Sequence, residues 1–266
     1  MKNILFLIQC FICFIPFLGK AQTGLGVTPP RNYFVAESGD KLTKKVVVTN
    51  DSKTTPLILS VSFGDWKYDE NGNNITADPN TLENSCASWI TVAPQSYFTL
   101  PPGESKELEI TVSPPYNKKD TLKVHTAMLY ITQTNPVDSY NEKGALVKVS
   151  LRSGIKIYHR YPETPNPSID FTDFSWNKKT EKLELEMINN GNMWTDGTLS
   201  TELVNQNNGN KVKLQDQVLY TLPGDKRKIK IEIPQNVPQG KYIASSIFSY
   251  GNDDTVKMAE LNFNIE

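Results

Sequence analysis

Cysteine is nearly missing from this chain: Cys10, Cys13 and Cys86 are the only three in 266 residues. Two of them sit in the apolar N-terminal run, so a chain cut after that run keeps a single thiol and has no internal disulfide. Cys86, between Ser85 and Ala87, reads as a small buried apolar residue. Histidine is just as scarce. His125 and His159 have no metal-type spacing, and one remaining cysteine leaves no zinc cluster. The chain has no Gly-x-Ser-x-Gly elbow and no glycine-rich phosphate loop. These absences argue against an enzyme, and both histidines read as structural, one opening a strand and one ending another. Excess charge is lacking too, with 28 Lys and Arg against 29 Asp and Glu. Neither nucleic acid nor an anionic membrane is therefore expected as the main partner. Helical periodicity is almost absent.

The N-terminus is different in kind. Met1-Lys2-Asn3 is followed by an apolar run from Ile4 to Leu18, then Gly19-Lys20-Ala21. Small residues at the −3 and −1 positions of a cut after Ala21 read as a signal peptide, residues 1–21. The alternative, a membrane anchor, is too short at about 15 residues against roughly 20 and holds Pro16. No later stretch is apolar enough to span a bilayer.

The rest alternates with period two in short runs bounded by Gly, Pro, Asn and Asp, the pattern of an all-β chain. Strands are expected at Val46–Val48, Leu57–Phe63, Trp89–Val92, Tyr97–Leu100, Leu108–Val112, Val124–Thr132 and, longest of all, Ala145–Tyr158. Asn71-Gly72 marks a hairpin turn. Tyr161 to Pro167 holds three prolines and forms a stiff linker, 161–168. Beyond it the style repeats, at Leu183–Met187, Thr198–Leu203, Val218–Leu222, Ile229–Ile233, Tyr242–Tyr250 and Val256–Ile265. Each half has a Pro-Gly-acidic turn, Pro102-Gly103-Glu104 and Pro223-Gly224-Asp225. The expected fold is two immunoglobulin-like β-sandwiches, 22–160 and 169–266. Asn252-Asp253-Asp254 is the nearest thing to a calcium loop, but it lacks alternating ligands and a trailing Glu and reads as a turn. No cofactor or metal is expected.

Several segments resemble the N-terminal domain of periplasmic pilus-assembly chaperones. Pro30-Arg31-Asn32-Tyr33-Phe34 is similar to that family's first strand and Val46-Val47-Val48-Thr49-Asn50 to its second. Val92-Ala93-Pro94 and Leu100 to Ser105 resemble its Pro-rich strand and turn. Gly154-Ile155-Lys156-Ile157-Tyr158-His159-Arg160, the most specific match, resembles the end of its last strand. The resemblance covers about half the chain; the 64–86 stretch is longer than expected, and the second half matches poorly.

That resemblance implies a non-catalytic periplasmic chaperone, in a Gram-negative bacterium, that donates a strand to secreted pilin-like subunits, with an outer-membrane usher as a possible further partner. It implies a donor strand carrying Ala145, Val147, Val149 and Leu151. It implies that Arg31 and Lys156 hold a subunit's C-terminal carboxylate, and that Arg160 forms an interdomain ion pair. From periodicity alone, 145–151 reads equally as an ordinary strand with one face in its own core. The competing function is a structural or adhesive module at the cell surface.

Overall fold

The computed structural model describes residues 24–116, 121–251 and 255–266. The expected signal peptide and the Asn252–Asp254 turn lie outside the described residues. No helix among those described is long and apolar enough to cross a membrane.

The first half builds twelve strands. They are β1 (Leu25–Thr28), β2 (Arg31–Val35), β3 (Leu42–Asn50), β4 (Leu57–Tyr68), β5 (Asn74–Ala77) and β6 (Ile90–Ala93). Then follow β7 (Tyr97–Leu100), β8 (Ser105–Val112), β9 (His125–Gln133), β10 (Val137–Tyr140), β11 (Leu146–Val149) and β12 (Arg152–Arg160). One sheet runs β1-β3-β8-β6; the facing sheet runs β2-β12-β9-β4-β5, with β7 beside β4. Alternation explains the core: Val46 and Val48 of β3, and Leu108, Ile110 and Val112 of β8, point inward. They meet Leu57 and Leu59 of β4, Leu129 and Ile131 of β9, and Ile155 and Ile157 of β12. Cys86 is fully buried in this core. The chain changes sheets early. β1 pairs with β3, Pro29-Pro30 interrupts the ladder, and β2 then pairs in parallel with β12.

The second half adds β13 (Ile169–Asn177), β14 (Lys182–Asn189), β15 (Thr195–Asn205) and β16 (Lys211–Lys213). It ends with β17 (Gln217–Thr221), β18 (Lys226–Glu232), β19 (Gly240–Tyr250) and β20 (Thr255–Ile265). Its sheets are β13-β14-β18 and β16-β15-β19-β20, with β17 beside β15. Leu183, Leu185, Met187, Ile229 and Ile231 face Leu199, Leu203, Ala244 and Phe248 across a second core.

The two Pro-Gly-acidic turns hold the same place in both sandwiches. Asn50 is fully buried at the end of β3; its amide donates to the carbonyls of Thr55 (2.9 Å), Leu100 (3.0 Å) and Pro101 (3.1 Å). Its backbone oxygen accepts from Gly103 N–H at 2.9 Å, and its N–H donates to Glu104 O at 2.9 Å. Asn189, ending β14, repeats this with Gly224 (2.8 Å) and Asp225 (3.0 Å). Gly103 and Gly224 have φ of 73° and 84°, in the left-handed region glycine tolerates. Asn50→Ala strands several buried carbonyls and should destabilise the first sandwich by about 2–4 kcal/mol, read in a urea titration.

Two expected strands differ in the structure. Ala145–Tyr158 is not one strand: it breaks at Ser150-Leu151 into β11 and β12. Gln133 intrudes there, its side-chain oxygen accepting from Leu151 N–H at 3.2 Å while its backbone oxygen accepts from the Ser150 hydroxyl. Trp89 is not in a strand but closes a 3-10 turn, Ala87–Trp89, with its N–H donating to Cys86 O at 3.0 Å.

Candidate functional site

Arg31 and Lys156, far apart in sequence, are register partners on the parallel strands β2 and β12. Lys156 is only 9% exposed. Its Nζ donates to Tyr68 Oη at 2.9 Å and to Asn74 Oδ1 at 2.6 Å. The same ammonium lies 4.0 Å from the ring centre of Trp66 and 4.2 Å from that of Tyr68. Arg31 stacks its guanidinium 4.0 Å over Tyr220 of the second sandwich. A third cation, unsuspected from the sequence, arrives from β18. Arg227 is 6% exposed and sits 5.0 Å from the Tyr68 ring centre. Among the described residues none of the three makes a salt bridge, and the buried Nε atoms of Arg31 and Arg227 make no hydrogen bond. Asp225 gives Arg227 some longer-range compensation.

The floor beneath these cations is aromatic. Tyr33 stacks on Tyr158 at 4.7 Å and meets Trp194, from the second sandwich, at a tilt and 5.0 Å; Trp66 meets Tyr158 edge-on at 5.2 Å. Trp66 is held by its indole N–H donating to Ala127 O at 3.0 Å. Burial pushes Tyr33 up to about 12 and raises Tyr158 and Tyr68, so all three stay neutral. The site is thus a cluster of three cations on aromatic rings drawn from both sandwiches.

Lys156 responds to this setting. Burial, then repulsion from Arg31 and Arg227, pushes it down to about 8 from the ordinary 10.5. Between those values the unfolded chain binds more protons than the folded one, so stability rises with pH across that window. Below about 8 the charged lysine is a cost to the fold. The Lys156 side-chain NMR signal should titrate near 8; a midpoint at 10.5 would show that the pocket is wet.

The long 64–86 stretch is ordered around this site. Fully buried Asp65 accepts from Thr81 N–H (2.8 Å), Leu82 N–H (2.9 Å) and the Ser85 hydroxyl (2.6 Å). The Asn71-Gly72 turn closes β4 on β5 as expected, and its tip reaches the second sandwich. Lys228 N–H donates to Glu70 O at 2.6 Å, and Arg227 Nη1 to Asp69 O at 3.2 Å. Arg160 makes no salt bridge among the described residues. Its guanidinium donates to the backbone oxygens of Tyr161 (3.2 Å) and Glu163 (3.0 Å), 5.9 Å from Trp194.

The expected donor residues lie elsewhere, on a two-stranded hairpin that joins neither sheet. Among the described residues β11 pairs only with β10, Val137 opposite Val149 and Tyr140 opposite Leu146. Leu146, Val147 and Val149 are 55%, 40% and 41% exposed, so none contributes to a core. Ala145 caps the turn, its N–H donating to Asn141 Oδ1 at 2.9 Å, and Leu151 sits at the break. On the side away from β10 and β9, among the described residues, no strand pairs with β11 or with β12 before Lys156. His125 and His159 are buried register partners beside Trp89.

With that geometry in view, solved structures give a comparison. The chain is similar to the YadV chaperone, with a TM-score of 0.51 at 11% identity over 90% of this chain and 99% of that one. The two share a fold. The chain is also similar to the E. coli chaperone DraB (TM-score 0.49, 16% identity, 90% and 98% covered). A third structure is the CsuC–CsuE chaperone–tip adhesion subunit complex from archaic Csu pili of Acinetobacter baumannii (TM-score 0.48, 15% identity, 89% and 97% covered). No family model matches the chain, and no curated protein does.

Proposed function

We propose that this chain is a periplasmic, non-catalytic chaperone that stabilises secreted β-sandwich subunits by lending them a strand. Its sandwiches span 22–160 and 169–266 behind a removed leader. The observation that carries the reading is the open edge of β11, where apolar side chains stand exposed on a strand with one free ladder. A subunit lacking a strand supplies backbone partners along that edge and pockets for alternate side chains, Val147 and Val149 with Ala145 and Leu151 at the ends. In this reading Arg31 and Lys156, further along the same edge, hold the subunit's C-terminal carboxylate and fix the register by charge-assisted hydrogen bonds. Gly154 and Ile155 continue the free edge toward it.

Expression of the tagged chain in its own periplasm, followed by mass spectrometry of what co-purifies, tests the reading. Small β-sandwich subunits should be recovered in one-to-one complexes. A structural or adhesive module would come out alone or with cell-surface material, with no stoichiometric subunit.

A further inference from the structure

The cation pocket is already occupied by a piece of the chain itself. An ammonium has three donors. Lys156 spends one on Tyr68 Oη and one on Asn74 Oδ1, and the rest of its head lies over Trp66. While this arrangement stands, Tyr68 and Asn74 hold two of the three donors a carboxylate would use. Tyr68 is part of the buried floor, but Asn74 is exposed, the first residue of β5 on the long hairpin. Its amide oxygen presents to the lysine the same kind of atom that a carboxylate would, without the charge.

The hairpin carrying Asn74 is strapped down from the other side. Arg227 wraps its tip, donating to Asp69 O and lying so close to Gly72 that a Cβ there would sit 2.0 Å from Nη2. Lys228 adds its backbone bond to Glu70 O and a 3.5 Å salt bridge to the Glu70 carboxylate. Asp69 gathers the turn by accepting from Asn71 N–H (2.9 Å), Asn73 N–H (2.8 Å) and the Asn73 amide (2.9 Å). The turn is therefore cross-linked through one carboxylate.

From this geometry we infer that the 69–74 hairpin is an internal plug: Asn74 fills the carboxylate position in the free chain, and Arg227 and Lys228 of the second sandwich hold it there. The inference rests on the reading of Arg31 and Lys156 as a carboxylate site. A charged carboxylate makes a stronger bond to the ammonium than a neutral amide does. A polypeptide C-terminus thus displaces Asn74, and in doing so loosens the contact between the sandwiches. An uncharged end leaves the plug seated.

The test uses the full chain and two probes, a short valine-rich peptide with a free C-terminal carboxylate and the same peptide as its C-terminal amide. Binding is followed by intrinsic tryptophan fluorescence, to which Trp66 and Trp194 beside the site contribute. Asn74→Ala removes an exposed side chain and, with it, one hydrogen-bond partner of Lys156. It should bind the acid about tenfold more tightly than the wild type does, with the amide unchanged. Acid and amide binding equally to the wild type and to Asn74→Ala overturns the carboxylate site and the plug with it. Preference for the acid that Lys156→Ala abolishes and Asn74→Ala leaves no tighter overturns the plug alone. Arg227→Gln separates the roles of the third cation: tighter acid binding shows a clasp on the plug, and weaker binding shows a ligand contact and removes Arg227 from the clasp.

Discussion

Replacing Lys156 with alanine should leave a folded protein that no longer retains its subunit. The folded half of this expectation follows from the environment. Lys156 is a buried cation facing Arg31 and Arg227, with neutral hydrogen-bond partners only, and burial and that repulsion both work against its charge. Removing it relieves repulsion, so the melting temperature should hold or rise. The binding half follows from the opposite balance in the complex. There the same ammonium faces a carboxylate in a desolvated pocket, and truncating one partner of such a pair costs about 2–5 kcal/mol, thirtyfold or more in affinity. Titration calorimetry against a purified subunit, beside a thermal melt of each protein, measures both halves. A variant that melts early and binds weakly would point to a structural lysine.

The second large effect belongs to the hairpin. Val147→Asp with Val149→Asp should abolish subunit binding while leaving the free chain's stability within about 0.5 kcal/mol of wild type. In the free chain both valines are exposed and touch no core, so the carboxylates stay in water. In a donated strand they would enter apolar pockets, where an unpaired charge costs several kcal/mol or more. The parity of the strand supplies the control. Lys148 lies on the opposite face, paired with Asp138 at 3.0 Å, and Lys148→Ala should bind normally. Pull-down of a subunit by the three proteins reads the pattern, and equal losses at 147, 148 and 149 would argue for general disruption of the hairpin.

How much of this was legible in the sequence depends on how far each feature reaches. Strands whose signal is local, such as β3, β8, β14 and β18, could be read from alternating apolar residues, and the turns from Asn71-Gly72 and the Pro-Gly pairs. Arg31 and Lys156 came together because a family resemblance, not spacing, pointed to both. Arg227 could not be found that way. It meets Asp69 from 158 residues away, and its own strand shows only an unremarkable Lys-Arg-Lys start. The break at Ser150-Leu151 was equally hidden, since the apolar alternation runs straight through it and the cause is Gln133 on a neighbouring strand. The aromatic floor is drawn from Tyr33, Trp66, Tyr158 and Trp194, single residues on separate elements that no window of sequence gathers. The apolar residues of β11 were visible as a pattern, but whether they served a core or stood in solvent was decided by the hairpin's separation from both sheets.

Strand donation makes one demand that nothing else in the molecule can satisfy: the free ladder of β11 must close when a subunit binds. Amide hydrogen exchange across Leu146–Val149, with and without a purified subunit, measures this directly. Exchange should be fast in the free chain, and in the complex those of the amides that face away from β10 should slow by orders of magnitude. A stable complex in which these amides exchange as fast as before would contradict strand donation.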